Sequence, residues 1–454
     1  MSHGLGKGRF LFSPFGVRLL AFWLLAMTLF LVGWKWRPAG LNNPAVQSAP
    51  PAAAAPAQVR KPKPTSDTLL EQLFVDRDDS WAAMRAALEQ RRDHPDEPLY
   101  AGVLAQCLKF QYPPSSLLSI DAVGSLLGAA AVSNPVLNVL SLLFFGAFLW
   151  ATYQLARPAL APFRSAPLDH ALIFGFALTY YPTLKGLELG QIQTWLSALL
   201  ALALLAYVRG QRVWVGIALG IIVSIKPQMA LFLVWALLRR ENRMALAMGA
   251  TLAVLGLLSL VRYGLTSHLE YLQLLPLLSR GEAYAPNQSL NGLLLRALHL
   301  GKTSGFSCQE FAPENPLVHF GTLLGTALLL GFALFYKPKW HANNPGASMG
   351  LAAVCFTLAS PIAWEHHYGI MPPIFAICLA TLASRPGLHE RWKWLALGAA
   401  WLLSVRFAAV GVLAETNANF LQSYLFFGGL TLLALLHALR RPSASEASTT
   451  NRAS

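Results

Sequence analysis

The chain has 454 residues; 55% are hydrophobic and only 12% carry charge, where an ordinary soluble domain carries about 25%. The apolar surplus falls in long runs, which excludes a conventional soluble globule, and short alternating segments are absent, which excludes a transmembrane β-barrel. The formal net charge is +14, but Lys and Arg collect in short alternate loops between apolar runs, a pattern that orients membrane helices and argues against a nucleic-acid partner.

The first apolar run, 16–33, is too long for the core of a signal peptide, and Gly33 is followed by WKWRP rather than a small-x-small cleavage site. It reads as a retained membrane helix, with residues 1–33 as the N-terminal unit. Residues 34–134 form a long first extracytoplasmic loop. Its start is a Pro/Ala-rich linker, and its middle, SWAAMRAALEQ, reads as an amphipathic helix with Asp79 or Ser80 as N-cap. FQYPPSSLL then turns the chain at Pro113 and Pro114 into an interfacial or re-entrant stretch, 115–131.

Further spans are expected near 135–156, 168–184, 190–207, 213–225, 227–238, 243–261, 316–336, 347–361, 367–384, 394–412 and 420–438. The expectation is an all-α, polytopic protein with about twelve spans, a multi-spanning domain over 135–440 and a disordered tail, 441–454. The Lys/Arg-rich loops (Arg209 and Arg212, Arg239 and Arg240, Arg391 and Lys393) place both termini in the cytoplasm. Lys226-Pro227 breaks the 213–238 run into a hairpin. Cys355 and Cys378 lie in apolar runs as packing residues; Cys107 and Cys308 fall in outer loops, where compartment allows a disulfide. No cysteine pair has metal-ligand spacing.

Non-basic polar residues gather in five places: VDRDDSW (75–81), LELGQIQ (187–193), IKPQ (225–228), NQSLNG (287–292) and SPIAWEHHYG (360–369). The topology puts all five at one membrane face, which implies a polar cavity open to the outside. Asp76, Asp78 and Asp79 can supply a general base, or form a solvated acidic run. Lys226, Arg406 within the 394–412 span, His366 and His367 suit a phosphate. Glu365 is an ionisable group costly near hydrocarbon. Asn287, Gln288, Asn291, Gln191 and Gln193 offer the donors and acceptors that sugar hydroxyls need, or NQSLNG starts a helix capped by Asn287 or Ser289. Together these types describe sugar transfer from a lipid phosphate. A transporter or lipid flippase is the alternative, but it needs polar residues along a path to both faces.

FQYPPSSLL, LELGQIQ, IKPQMALFLVWALLRR, NQSLNGLLLR and SPIAWEHHYG, in that order, give the chain a resemblance to glycosyltransferase family 87. That family comprises GT-C-type membrane enzymes that use polyprenyl-phosphate sugars and are best known as mannosyltransferases. The resemblance implies a catalytic aspartate ahead of the YPP element, with Asp79 first, Asp78 next and Asp76 third. It implies a donor and acceptor site that includes Tyr112, Gln191, Lys226, Glu365, His366 and His367. It also implies a polyprenyl-phosphate sugar as donor, a lipid-linked or envelope glycan as acceptor, no cofactor, and no metal for a donor that lacks a diphosphate. The active site would face away from the cytoplasm, in the cell membrane.

Overall fold

A computed structural model describes residues 14–35, 77–106, 108–161, 166–278, 280–301, 303, 312–336, 344–384, 391–414 and 416–439. Asp76, Cys107 and Cys308 lie outside these residues. Among the described residues the structure is helical, and the one β-type pairing is an isolated bridge between Asn287 and Trp364.

The chain begins with α1 (Pro14–Lys35). Three short elements of the first loop follow: α2 (Asp79–Asp93), α3 (Leu99–Ala105) and α4 (Leu118–Leu127). The bundle then runs through α5 (Asn134–Ala156), α6 (Pro167–Leu178), α7 (Tyr181–Leu189), α8 (Gln193–Val208), α9 (Arg212–Ile225), α10 (Leu231–Leu238) and α11 (Asn242–Leu278). It ends with α12 (Leu290–Ala297), α13 (Pro316–Phe335), α14 (Pro345–Leu358), α15 (Met371–Ala383), α16 (Arg391–Leu402) and α17 (Tyr424–Ala438).

Five helical stretches among the described residues are long and apolar enough to cross a membrane: Asn134–Leu160, Asn242–Leu277, Pro316–Phe335, Glu365–Ala383 and Asn419–Ala438. Seven other apolar helices have only 10–17 residues, so the all-α membrane architecture stands while a count of twelve full spans does not follow. α14 is the centre of the bundle. Every residue from Gly346 to Leu358 is buried, as expected of a helix apolar on all sides. Around the bundle, apolar side chains such as Val261, Leu317 and Phe320 stay exposed, the surface that hydrocarbon would cover.

Three boundaries differ from the sequence expectation. The 243–261 span does not end at a loop: helical chain continues to Leu278 across a kink at Gly264, whose φ of 77° is open to glycine. Beyond the kink, Leu265, Leu269, Leu272 and Leu275 remain exposed along one face, the pattern of a helix lying at a membrane interface. The 394–412 span stops at Leu402, so Arg406 sits in irregular chain before a 3₁₀ turn, Ala408–Leu413. And α2 starts at Asp79 itself, with Asp78 in the cap position and no side-chain capping bond. Ser80, like Asp79, is inside the first turn.

The first loop is docked by one carboxylate. Glu270, past the kink of α11, accepts the backbone N–H groups of Leu99 (2.8 Å), Tyr100 (2.9 Å) and Ala101 (3.0 Å). Tyr100 in turn donates its hydroxyl to the Tyr112 carbonyl at 2.7 Å and packs beside Tyr271. Charge-assisted bonds of this kind contribute about 1.5–3 kcal/mol each. Glu270→Ala is therefore expected to speed limited proteolysis between α2 and α3 by at least roughly tenfold, read by gel or mass spectrometry on the detergent-purified protein. An unchanged cleavage rate would assign the docking to the aromatic contacts instead.

Candidate functional site

A cavity of about 810 Å³ opens where the first loop meets the bundle, within the range of roughly 300–1,000 Å³ typical of ligand sites. Its wall is assembled from segments far apart in the chain. Asp78 and Asp79 come from the start of α2, Tyr112 from the YPP turn, and Gln191 and Gln193 from the turn between α7 and α8. Lys226 comes from the break between α9 and α10, and Glu365, His366 and His367 from the 3₁₀ turn before α15.

The α7–α8 turn organises these groups. Gly190 adopts φ +67°, and a Cβ there would stand 2.5 Å from the Arg77 carbonyl carbon and oxygen, so both conformation and space require glycine. Its carbonyl accepts the Ser80 N–H at 3.2 Å. Asn138 of α5 completes the attachment: its Nδ2 donates to the Arg77 carbonyl at 2.9 Å, and its Oδ1 accepts the Trp81 indole N–H at 2.9 Å. Residues 77–81 are thus tied to the bundle, while the Asp79 side chain stays exposed at the cavity. The Arg77 guanidinium donates to the Leu187 carbonyl at 3.3 Å; burial draws its pKa down and the nearby Glu188 partly restores it.

Gln191 is held from both ends. Its Oε1 accepts the Ser80 hydroxyl at 2.7 Å, and the Tyr112 hydroxyl lies 3.4 Å from the same oxygen and 3.1 Å from Ser80 Oγ. With Oε1 committed, Nε2 turns to Asp79 and donates to its Oδ2. Burial pushes the Tyr112 phenol up to about 12, against the opposing effect of the Ser80 bond, and the Asp79 charge pushes the same way as burial. Tyr112 therefore keeps its proton and remains a donor at neutral pH.

Two residues on, Gln193 accepts at its Oε1 a bond from Lys226 Nζ, 3.1 Å long. The break that carries Lys226 is held by Ser115, whose hydroxyl donates to the Ser224 carbonyl at 2.6 Å. His367 Nδ1 accepts the Trp364 N–H at 3.1 Å. Its Nε2 then carries the proton and can donate. Glu365 accepts the Tyr181 hydroxyl at 2.7 Å and the Tyr424 hydroxyl at 3.3 Å. Arg406 lies within electrostatic reach of Glu365 but is not part of the cavity wall.

The NQSLNG group stands behind the wall. Asn287, Gln288, Ser289 and Asn291 are all buried, and the cavity lining includes Pro286 but none of them. Asn287 donates to the Glu282 carbonyl (2.8 Å) and accepts the Ala363 N–H (3.1 Å). Gln288 donates to the carbonyls of Ala285 (2.6 Å) and Gln422 (2.7 Å) and accepts the Leu425 N–H (3.0 Å). Ser289 caps α12 by accepting the Gly292 N–H at 3.1 Å and donates to the Pro361 carbonyl at 2.7 Å. Asn291 donates to Thr322 at 3.3 Å. Asn287, Gln288 and Ser289 tie irregular backbone together and hold the Trp364–His367 turn, and none of the four lines the cavity.

Lys109, Lys185, Tyr284 and Trp364 line the cavity without having been singled out. Lys109 pairs with Glu282 and Lys185 with Glu188 at 3.2 Å. The one signal for Lys109 was its place just ahead of FQYPP. Among the described residues no three His, Cys, Asp or Glu side chains group as metal ligands.

The family model of glycosyltransferase family 87 matches residues 110–361, more than half of the chain. A curated relative from Mycobacterium tuberculosis, the polyprenol-phosphate-mannose-dependent alpha-(1-2)-phosphatidylinositol mannoside mannosyltransferase, is 27% identical over 293 residues, 61% of this chain. The chain covers 64% of that relative's length. No solved structure matches. The family match takes in Tyr112, Gln191, Gln193 and Lys226 but neither the acidic run nor the histidine pair. Those groups join the site by geometry alone.

Gly190→Ala is expected to undock the acidic run, since the methyl group meets main chain that cannot move aside cheaply. Strain of about 1–3 kcal/mol accompanies such a conformation outside glycine. A lower melting temperature together with at least about a tenfold fall in turnover would bear this out; wild-type behaviour in both would show that the turn does not position the site.

Proposed function

The chain belongs to glycosyltransferase family 87, and on that footing we propose that it transfers a hexose, mannose by likeness to the named relative, from a polyprenyl phosphate to a hydroxyl of a lipid-linked or envelope glycan. The reaction takes place at the extracytoplasmic face. The observation that carries the reading is the pairing built by the GQIQ turn: a carboxylate at Gln191 and an ammonium at Gln193, facing one cavity. Sugar transfer from a lipid phosphate needs both, one to take a proton and one to hold the leaving phosphate.

The acceptor hydroxyl gives its proton to Asp79 as its oxygen attacks the anomeric carbon. The bond between that carbon and the phosphate oxygen breaks, and the electron pair leaves with the polyprenyl phosphate. Lys226, with the Nε2–H of His367, binds the phosphate. The ammonium stabilises the charge that grows on the leaving group. Gln191 keeps the Asp79 carboxylate aimed and Tyr112 keeps Gln191 aimed. His366, beside His367 with ring centres 4.7 Å apart, closes the same wall. Glu365, already engaged by two tyrosines, shapes the wall and is the weaker candidate for base.

Asp79→Asn keeps the size and the bond to Gln191 but cannot accept the proton. It is expected to bind donor and to lose at least about 10²-fold in turnover, the typical contribution of a general base. The assay follows transfer from polyprenyl-phosphate mannose to a lipid acceptor, with Asp78→Asn and Asp76→Asn beside it. Full activity of Asp79→Asn with loss in one of the others would move the base along the run; full activity of all three would remove it from the run.

Lys226→Ala is expected to weaken donor binding roughly ten- to a hundredfold, the loss of one charge-assisted bond, with folding kept. Equilibrium binding of labelled polyprenyl-phosphate sugar reads it. Unchanged affinity would place the phosphate elsewhere in the cavity.

A further inference from the structure

A second cavity, about 770 Å³, lies at the opposite end of the bundle between α1, α6, α15 and α16. Its wall is aromatic and aliphatic, with Phe22, Phe176, Phe375 and Trp401 among its side chains. Only two charged groups reach it, Arg18 of α1 and Arg391 at the start of α16. Both are exposed, and neither has a hydrogen-bond or ion-pair partner among the described residues. The nearby carboxylate, Asp169, is buried at the start of α6 and accepts the Ala166 N–H at 2.8 Å.

The dimensions suit one leaflet of a membrane. Along α16 the cavity runs from Arg391 to Trp401, ten residues, or about 15 Å at 1.5 Å per residue. That is half of a hydrocarbon core of ~30 Å. The arginines stand at the mouth. Beside them, Trp392 is exposed and Trp394 packs edge-on against Phe15 at 6.0 Å, the aromatic collar expected at headgroup level. The deep end closes on Phe375 and Trp401, whose rings meet at 5.1 Å.

An apolar slot of single-leaflet depth, with two guanidiniums at its mouth that have no partner among the described residues, has the chemistry of a lipid site. Basic pockets between membrane helices on the cytoplasmic side characteristically hold anionic headgroups, and guanidinium pairs well with phosphate. We propose that this cavity binds an anionic glycerophospholipid of the cytoplasmic leaflet, its headgroup on Arg18 and Arg391 and one acyl chain along α16. The inference rests on the membrane placement of the bundle and not on the transfer reaction.

Native mass spectrometry of the full chain in detergent, titrated with phosphatidylglycerol or phosphatidylcholine, tests it. The expected result is selective retention of phosphatidylglycerol. It should fall roughly thirtyfold in an Arg18→Gln/Arg391→Gln variant, as two surface charges are lost, and fall also in Ala376→Phe, which fills the slot and leaves both arginines. The arginines are exposed, so the double variant folds whatever becomes of Ala376→Phe. Equal retention of the two lipids, equal binding by the double variant and wild type, or preference for polyprenyl phosphate over phosphatidylglycerol would each overturn the proposal. The readout is lipid binding alone, so it stands or falls apart from sugar transfer.

Discussion

The site depends on the left-handed turn at Gly190. Two helices of the bundle, α7 and α8, meet there at an angle that leaves no room for a side chain against the Arg77 backbone. That contact does two things. It seats the acidic run of the first loop on the bundle, and it points the next two glutamines to different partners, Gln191 to Asp79 and Gln193 to Lys226. An acid and a base that would otherwise attract and neutralise each other are kept apart by one amide each. The turn is therefore a spacer as well as an anchor, and on the proposed reading an acceptor hydroxyl at Asp79 and a donor phosphate at Lys226 meet between them.

The opposite wall answers a different constraint. Residues 280–289 and 360–364 are irregular chain leading into the short 3₁₀ turn Glu365–Ile370, and their backbone groups need partners outside regular helix. Asn287 and Gln288 each bond to backbone groups in different segments, and Arg296, fully buried, donates to the carbonyls of Ala283, Tyr284 and Asn287 and to Ser423. This polar knot lets a short 3₁₀ turn present Trp364, Glu365, His366 and His367 to the cavity. Asn287 and Gln288 are engaged with backbone and lie outside the cavity wall, so their placement supports a part in holding that turn.

That division explains what was legible in the sequence. Clusters of polar residues in a greasy chain could be seen, and four of the five contribute side chains to one cavity. Gln191 and Lys226 belong to the wall because each adjoins a helix break marked by Gly190 or Pro227, and Asp79 joins them through its bond to Gln191. Asn287 and Gln288 carry the same donors and acceptors, and composition cannot say whether an amide faces backbone or substrate; the packing of the Trp364–His367 turn against them decides it. Arg406 was misplaced for a related reason. An apolar run reads as one helix, but this one unwinds after Leu402, and Arg406 comes to lie near Glu365 instead of within a span. The Gly264 kink was hidden because the chain stays apolar on both sides of it.

The short helices matter to function as much as the polar groups. α9 has 14 residues, about 21 Å of helix, and cannot cross a ~30 Å core. Its end at Lys226 opens into the cavity, where Gln193 accepts a bond from the ammonium. Such a charge is costly in hydrocarbon, and a polar wall with Gln193 as partner offsets the cost. On the proposed reading, the phosphate of a lipid-linked donor meets Lys226 while its polyprenyl tail stays in the bilayer, and Pro227, by ending α9, sets where the two meet.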